Sequence, residues 1–138
     1  MTETIGYTTG VYDMFHIGHL NVLRRASQLC DRLVVGVTTD ELSLSRKGKS
    51  PIVAYSERVE IIENLRFVDQ VVAQDSMDKM QAWRDVRFDR MFVGDDWQGT
   101  DAWNRIEREF KLVGVQIVYL PYTTHTSSTL LRGKVLSR

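Results

Sequence analysis

The stretch Leu-Val-Val-Gly-Val at residues 33–37 limits the fold more than any other part of the chain. A nearly unbroken apolar run has no polar face to turn toward water. It suits a strand covered on both sides, as in a parallel sheet with helices over each face. The rest of the chain repeats the theme. Residues 5–9 are rich in β-formers and end at Gly10, and residues 68–73, 90–93 and 115–120 are further short strands. Gly94 stops the fourth strand and Pro121 closes the fifth. Between them, apolar positions recur at helical spacing. Leu20, Leu23, Ala26 and Cys30 follow Ile17, and Val59, Ile62 and Leu65 follow Ser56, the expected cap of its helix. Residues 78–86, 101–111 and 127–135 complete the helical set. Residues 40–52 are polar, carry Arg46, Lys47, Gly48, Lys49 and Pro51, and read as a loop.

Strand and helix alternate to the end, which predicts an α/β fold with right-handed crossovers. The expectation is a single Rossmann-like doubly wound domain over residues 1–138, with a five-stranded parallel sheet. In such a sheet the ligand lies beyond the carboxyl ends of the strands, where the strand order reverses. Lys plus Arg is 18 and Asp plus Glu is 18, and this balance argues against nucleic acid as the partner. The lone cysteine, Cys30, cannot form an internal disulfide and reads as a small buried hydrophobe late in a helix. No run approaches transmembrane length, and the start of the chain lacks the basic and apolar parts of a signal peptide. A cytoplasmic protein without membrane insertion is expected.

The loop after the first strand reads Gly10-Val11-Tyr12-Asp13-Met14-Phe15-His16-Ile17-Gly18-His19. His16 and His19 are three residues apart and share one face of a first helical turn. Gly18 lets a ligand approach the backbone, and free N–H groups at a helix start attract an anion. Two imidazoles beside those donors make a phosphate site. A zinc pair would need further Cys or His nearby in sequence, and none is there. No protein-held metal is expected. Further candidates are the cations of residues 46–49, Arg58 and Arg66 at the two ends of the second helix, and Gly94-Asp95-Asp96-Trp97 after the fourth strand. An aspartate in that turn can accept a hydrogen bond from an exocyclic base amine. Trp97 offers an aromatic wall, whereas Trp103 reads as packing. The hydroxyl-rich segment Thr123, Ser127, Ser128, Thr129 can hold phosphate oxygens at a helix start.

These residues resemble the signature of the cytidylyltransferase family. Gly10-Val11-Tyr12-Asp13 with His16-Ile17-Gly18-His19 carries the likeness, and residues 55–58, 64–69 and 94–97 match the family's later segments in order and spacing. The likeness is strongest to bacterial glycerol-3-phosphate cytidylyltransferases. It implies transfer of CMP from CTP to a phosphorylated acceptor, with release of pyrophosphate. It also implies a homodimer and Mg²⁺ carried mainly by the nucleotide. By resemblance, His16, His19, Lys47 and Arg66 are catalytic. Val11, Tyr12, Asp96, Trp97, Thr123, Ser127, Ser128 and Thr129 join the two histidines around the nucleotide, and Lys47, Lys49, Tyr122 and His125 face the acceptor. Arg58 reads instead as a brace of the fold or of a subunit interface. Two departures stand out: Tyr122 takes the place of the family's arginine, and His125 that of its glycine.

Two rival readings stay open. One is AMP transfer to a sugar phosphate or cofactor precursor, which would use the same phosphate machinery. The other is a nucleotide-binding regulatory module without turnover. A phenol at Tyr122 cannot reproduce an arginine's bidentate grip on phosphate. Tyr122→Arg is therefore expected to tighten triphosphate or acceptor-phosphate binding without speeding the native reaction, as read from steady-state rates. Unchanged affinity for both substrates would remove Tyr122 from the site.

Overall fold

The computed structural model describes residues 3–121. The helix expected at residues 127–135 lies outside them. The chain runs β1 (Ile5–Gly10), α1 (Ile17–Ser27), β2 (Arg32–Thr38), α2 (Asp40–Lys47), α3 (Tyr55–Glu63), β3 (Gln70–Gln74), α4 (Lys79–Val86), β4 (Arg90–Gly94), α5 (Asp101–Lys111) and β5 (Gln116–Leu120). The strands form one five-stranded sheet in the order β3-β2-β1-β4-β5, every pair parallel. This is the doubly wound Rossmann-like order. Among the described residues, no helix is long and apolar enough to cross a membrane.

The apolar run of β2 explains the layers. Leu33, Val35 and Val37 point to one face and pack with Leu23 and Ala26 of α1 and Ile62 of α3. Val34 points to the other face, among Tyr7, Phe88, Met91 and Phe110, with Ala82 and Val86 of α4 beside them. Each such side chain contributes about 1.5–3 kcal/mol when fully buried. Gly36 is required within the run, because a Cβ there would lie 2.7 Å from the Tyr7 hydroxyl.

Four local expectations need correction. Residues 40–52 are not all loop, because α2 occupies the first eight. Thr39 Oγ1 accepts the Leu42 N–H at 3.1 Å, Asp40 and Glu41 lie in the first turn, Arg46 and Lys47 in the last, and Gly48 closes the helix at φ 74°. Those are ordinary helix signals; the helix was hidden because Ser43 is its one buried residue. Ser56 does not cap α3. Its cap position is Ala54, and the Tyr55 N–H at the helix start goes instead to Asp40 Oδ2 at 3.2 Å. β3 begins later than residue 68, because the Val68 N–H closes a turn onto the Leu65 carbonyl and the Asp69 N–H goes to Leu33 ahead of the strand. Cys30 stands beyond the end of α1, half-buried, in the turn that leads into β2.

The chain leaves β3 at one edge and re-enters at β4, beside β1. The strand order therefore reverses between β1 and β4, and their carboxyl ends open the crevice where a ligand is expected. One buried side chain ties the segments around that crevice. Arg58 of α3 is 1% exposed. It donates to the carbonyls of Val11 at 2.7 Å, Thr38 at 2.8 Å and Val53 at 2.9 Å, and to Asp40 Oδ1 at 2.6 Å. Of the readings of Arg58, the structure supports the brace. Arg58→Met leaves three carbonyls and a carboxylate without their donor, and is expected to cost about 3–5 kcal/mol. Arg58→Lys restores little, since an ammonium cannot span the same fork. Urea unfolding measures both, and a loss below about 1 kcal/mol for Arg58→Met would contradict the brace.

Candidate active site

The loop between β1 and α1 is built around its own side chains. Tyr12 and Met14 hold φ angles of 55° and 49°, a conformation uncommon for residues with a side chain. Tyr12 is buried and its ring folds back over Gly10, where a Cβ would meet the ring at 2.7 Å. Asp13, also buried, accepts the N–H groups of Ile52 and Val53, each at 2.8 Å. The segment between α2 and α3 is thereby pinned to this loop twice, by Asp13 and by Arg58. Sequence reading named Asp13 within the motif and gave it no role.

His16 caps α1 in an extended conformation. Its Nδ1 accepts the Gly18 N–H at 3.0 Å, and His19 Nδ1 accepts the His16 N–H at 3.2 Å. The two rings stack with centroids 3.9 Å apart. This corrects the expectation of free N–H groups at the helix start: two of them are taken by the histidines themselves. The consequence is chemical. A ring nitrogen that accepts a hydrogen bond carries no proton, so each neutral ring holds its proton on Nε2. Burial favours the neutral form of both rings. It lowers the His19 pKa to about 4, with His16 adding to the shift and Asp13 opposing it, and it lowers that of His16. Among the described residues, His16 Nε2 is a buried nitrogen with no hydrogen-bond partner. A buried N–H donor without a partner costs free energy unless a ligand accepts from it.

The other candidates separate into groups. Val11 gives its carbonyl to Arg58, and the Tyr12 ring meets the His19 ring edge-on at 5.4 Å. Asp96 and Trp97 form a 3₁₀ turn directly after β4, across the reversal point from the histidine loop. Trp97 is 52% exposed, and the Asp96 carboxylate folds back over Gly94, where a Cβ would stand 2.7 Å from Oδ1. Lys47 ends α2 and Lys49 follows it, both exposed. Lys49 is three residues from Ile52, within roughly 10 Å of chain reach of the bond to Asp13. Tyr122, Thr123, His125, Ser127, Ser128 and Thr129 lie outside the described residues.

Arg66 is not brought to the histidines. It follows the end of α3, and Asp69, three residues on, bonds through both its N–H and its carboxylate to Leu33 at the start of β2. That is the amino edge of the sheet, a strand's length of roughly 16 Å from the carboxyl edge. Sequence order placed Arg66 near a helix end but did not show which edge that end meets. The carboxyl edge also holds Lys79, the first residue of α4 after β3. Its ammonium lies 5.2 Å from the centre of the Trp103 ring. Burial and the repulsion of Arg46 lower its pKa. A lysine in a first turn opposes the helix dipole, and that misplacement was the signal in the sequence. Among the described residues, no group of three or more His, Cys, Asp or Glu could hold a metal ion.

Comparison with known proteins fits this geometry. The family model described as cytidylyltransferase-like matches residues 7–134. A glycerol-3-phosphate cytidylyltransferase of Bacillus subtilis is 36% identical over 129 residues, which span 93% of this chain and 94% of that protein. An FAD synthase of Thermococcus sibiricus is 29% identical over 132 residues, 95% of this chain and 88% of that one. Among solved structures, a lipopolysaccharide core biosynthesis protein from Thermoplasma volcanium superimposes with a TM-score of 0.73 at 27% identity. That match covers 88% of this chain and 98% of the other.

The histidine pair makes stability depend on pH. The folded pKa of His19 lies below its unfolded value, so the unfolded chain binds the proton first as pH falls. Its contribution is present in full above about pH 6.5 and is lost as pH falls toward about 4. The slope from one such group reaches at most about 1.4 kcal/mol per pH unit. Urea unfolding at pH 7 and pH 5 is expected to show a smaller loss in His19→Gln than in the native chain. Equal losses would contradict a depressed His19.

Proposed function

The chain belongs to the cytidylyltransferase-like family, a family of nucleotidyltransferases, and from that premise we propose that it transfers CMP from CTP to glycerol 3-phosphate. The observation that carries this reading is the buried Nε2–H of His16 at the reversal of strand order, without a partner among the described residues. It is a neutral donor, held in advance and aimed where a phosphate would sit. The full-length likeness to a glycerol-3-phosphate cytidylyltransferase supports the choice of acceptor.

In the proposed reaction, an oxygen of the acceptor's phosphate attacks the α-phosphorus of CTP in line. A P–O bond forms there, the bond to the bridging oxygen breaks, and pyrophosphate leaves with that electron pair. Catalysis then rests on positioning and on charge stabilisation. His16 and His19 donate to the α- and β-phosphates. Lys47 and Lys49 neutralise the phosphates from the segment that Asp13 pins. Lys79, with no carboxylate partner among the described residues, takes the acceptor's phosphate. Thr123, Ser127, Ser128 and Thr129 hold the departing pyrophosphate, and Tyr122 and His125 border the acceptor. Asp96 accepts from the cytosine amine, and Trp97 forms a wall beside the base. Mg²⁺ would enter this scheme with the nucleotide and would add to the neutralisation of its phosphate charge.

AMP transfer remains a second reading, favoured by one observation: the match to the FAD synthase relative covers 95% of this chain, against 93% for the glycerol-3-phosphate cytidylyltransferase. The two readings share the histidines and differ in the base pocket. Pyrophosphate release is expected with CTP well above ATP, GTP and UTP. His16→Ala is expected to lower turnover about a hundredfold or more, the scale for losing one preorganised donor. Asp96→Asn is expected to narrow the gap between CTP and UTP, because an amide can rotate to suit either base edge. Faster release with ATP would favour the second reading, and near-native turnover in His16→Ala would sink both.

A further inference from the structure

Lys79 is held at some cost. It stands in the first turn of α4, where a cation opposes the helix dipole. It is half-buried, and Arg46 lies close enough to repel it. Its neighbour Asp78 caps the helix, its Oδ1 accepting the Gln81 N–H at 3.0 Å, and forms no ion pair with Lys79. What holds the ammonium is the face of Trp103. A cation over an indole face is attracted by the ring quadrupole, more strongly as water is excluded.

Trp103 is itself fixed from two sides. Its backbone N–H donates to Thr100 Oγ1 at 3.3 Å, the cap of α5. Its ring meets Tyr119 of β5 edge-on at 6.5 Å, and the Tyr119 hydroxyl donates to the Glu107 carboxylate. The start of α5 follows β4 and the start of α4 follows β3, so both stand at the carboxyl edge with the histidine loop. Lys79 therefore stands at that edge over the Trp103 ring, with no carboxylate paired to it among the described residues.

We propose that Trp103 is a positioning residue, whose indole face holds Lys79 so that its ammonium receives the acceptor's phosphate. This rests on the acceptor role given to Lys79 above. Trp103 touches no substrate in this scheme, and its effect passes through Lys79 alone. Tryptophan is the best of the three aromatic rings for this purpose, and phenylalanine keeps a weaker form of the same face.

The test combines activity with a binding readout that needs no turnover. The variants are Trp103→Leu, Trp103→Phe, Lys79→Met and the double variant Trp103→Leu with Lys79→Met. Trp103→Leu is expected to raise KM for glycerol 3-phosphate about tenfold, with kcat and KM for CTP within about twofold. Trp103→Phe recovers most of that loss, and Lys79→Met adds little on top of Trp103→Leu, since the pair acts as one unit. In parallel, the Lys79 side-chain NMR signal is followed while inorganic phosphate is added. It is expected to move saturably in the native chain and to need about tenfold more phosphate in Trp103→Leu. Losses that multiply in the double variant overturn the proposal, as do equal phosphate affinities with and without the indole. If glycerol 3-phosphate is not turned over, the acceptor reading fails, and the phosphate titration still decides whether Trp103 positions Lys79.

Discussion

The guanidinium of Arg58 is the constraint on which the site depends. It is buried, and it collects carbonyls from the loop after β1, the end of β2 and the segment before α3, together with the Asp40 carboxylate. Charged groups leave water at a cost, and they are tolerated inside only when fully bonded. Here the bonding closes the carboxyl edge of the sheet. Asp13 repeats the closure from the opposite direction by taking two N–H groups of residues 52 and 53. Between these two clamps, the histidine loop keeps a backbone that Tyr12 and Met14 would not adopt unaided.

The histidines show how such a frame becomes chemistry. Each ring spends its Nδ1 on a backbone N–H of the helix start, so the helix is capped and the tautomer is chosen in one arrangement. The Nε2 atoms are then donors without charge. A neutral donor in a buried place is suited to a triphosphate whose charge is met elsewhere by lysines. It also keeps two rings 3.9 Å apart from repelling one another, as two imidazolium ions would. The doubly wound sheet contributes the reversal between β1 and β4, which sets the 3₁₀ turn of Asp96 and Trp97 opposite that pair.

Much of this was legible in the sequence, for reasons that can be stated. The run 33–37 revealed a strand buried on both faces, and that is where β2 lies. The spacing of His16 and His19 after a strand marked the crevice. α2 was hidden because a polar helix has no apolar stripe, although Thr39 and Gly48 bracket it. The start of α3 misled because its first N–H is satisfied by Asp40, a residue from another helix. Arg66 stands near the amino edge of the sheet, and Lys79 has no motif to mark it. Motif order is one-dimensional, and only the direction of α3 across the sheet sends Arg66 to the amino edge. The burial that marks Lys79 comes from α5, which lies distant in sequence.

The central claim is that two capped imidazoles present neutral Nε2–H groups to the phosphates of a nucleotide. Long-range proton–nitrogen NMR correlation of the histidine rings at neutral pH, with and without CTP, tests it most directly. The account predicts the Nε2–H tautomer in both rings and a saturable shift of His16 Nε2–H when CTP is added. An Nδ1–H tautomer, an imidazolium at neutral pH, or a His16 signal that ignores saturating CTP would contradict it.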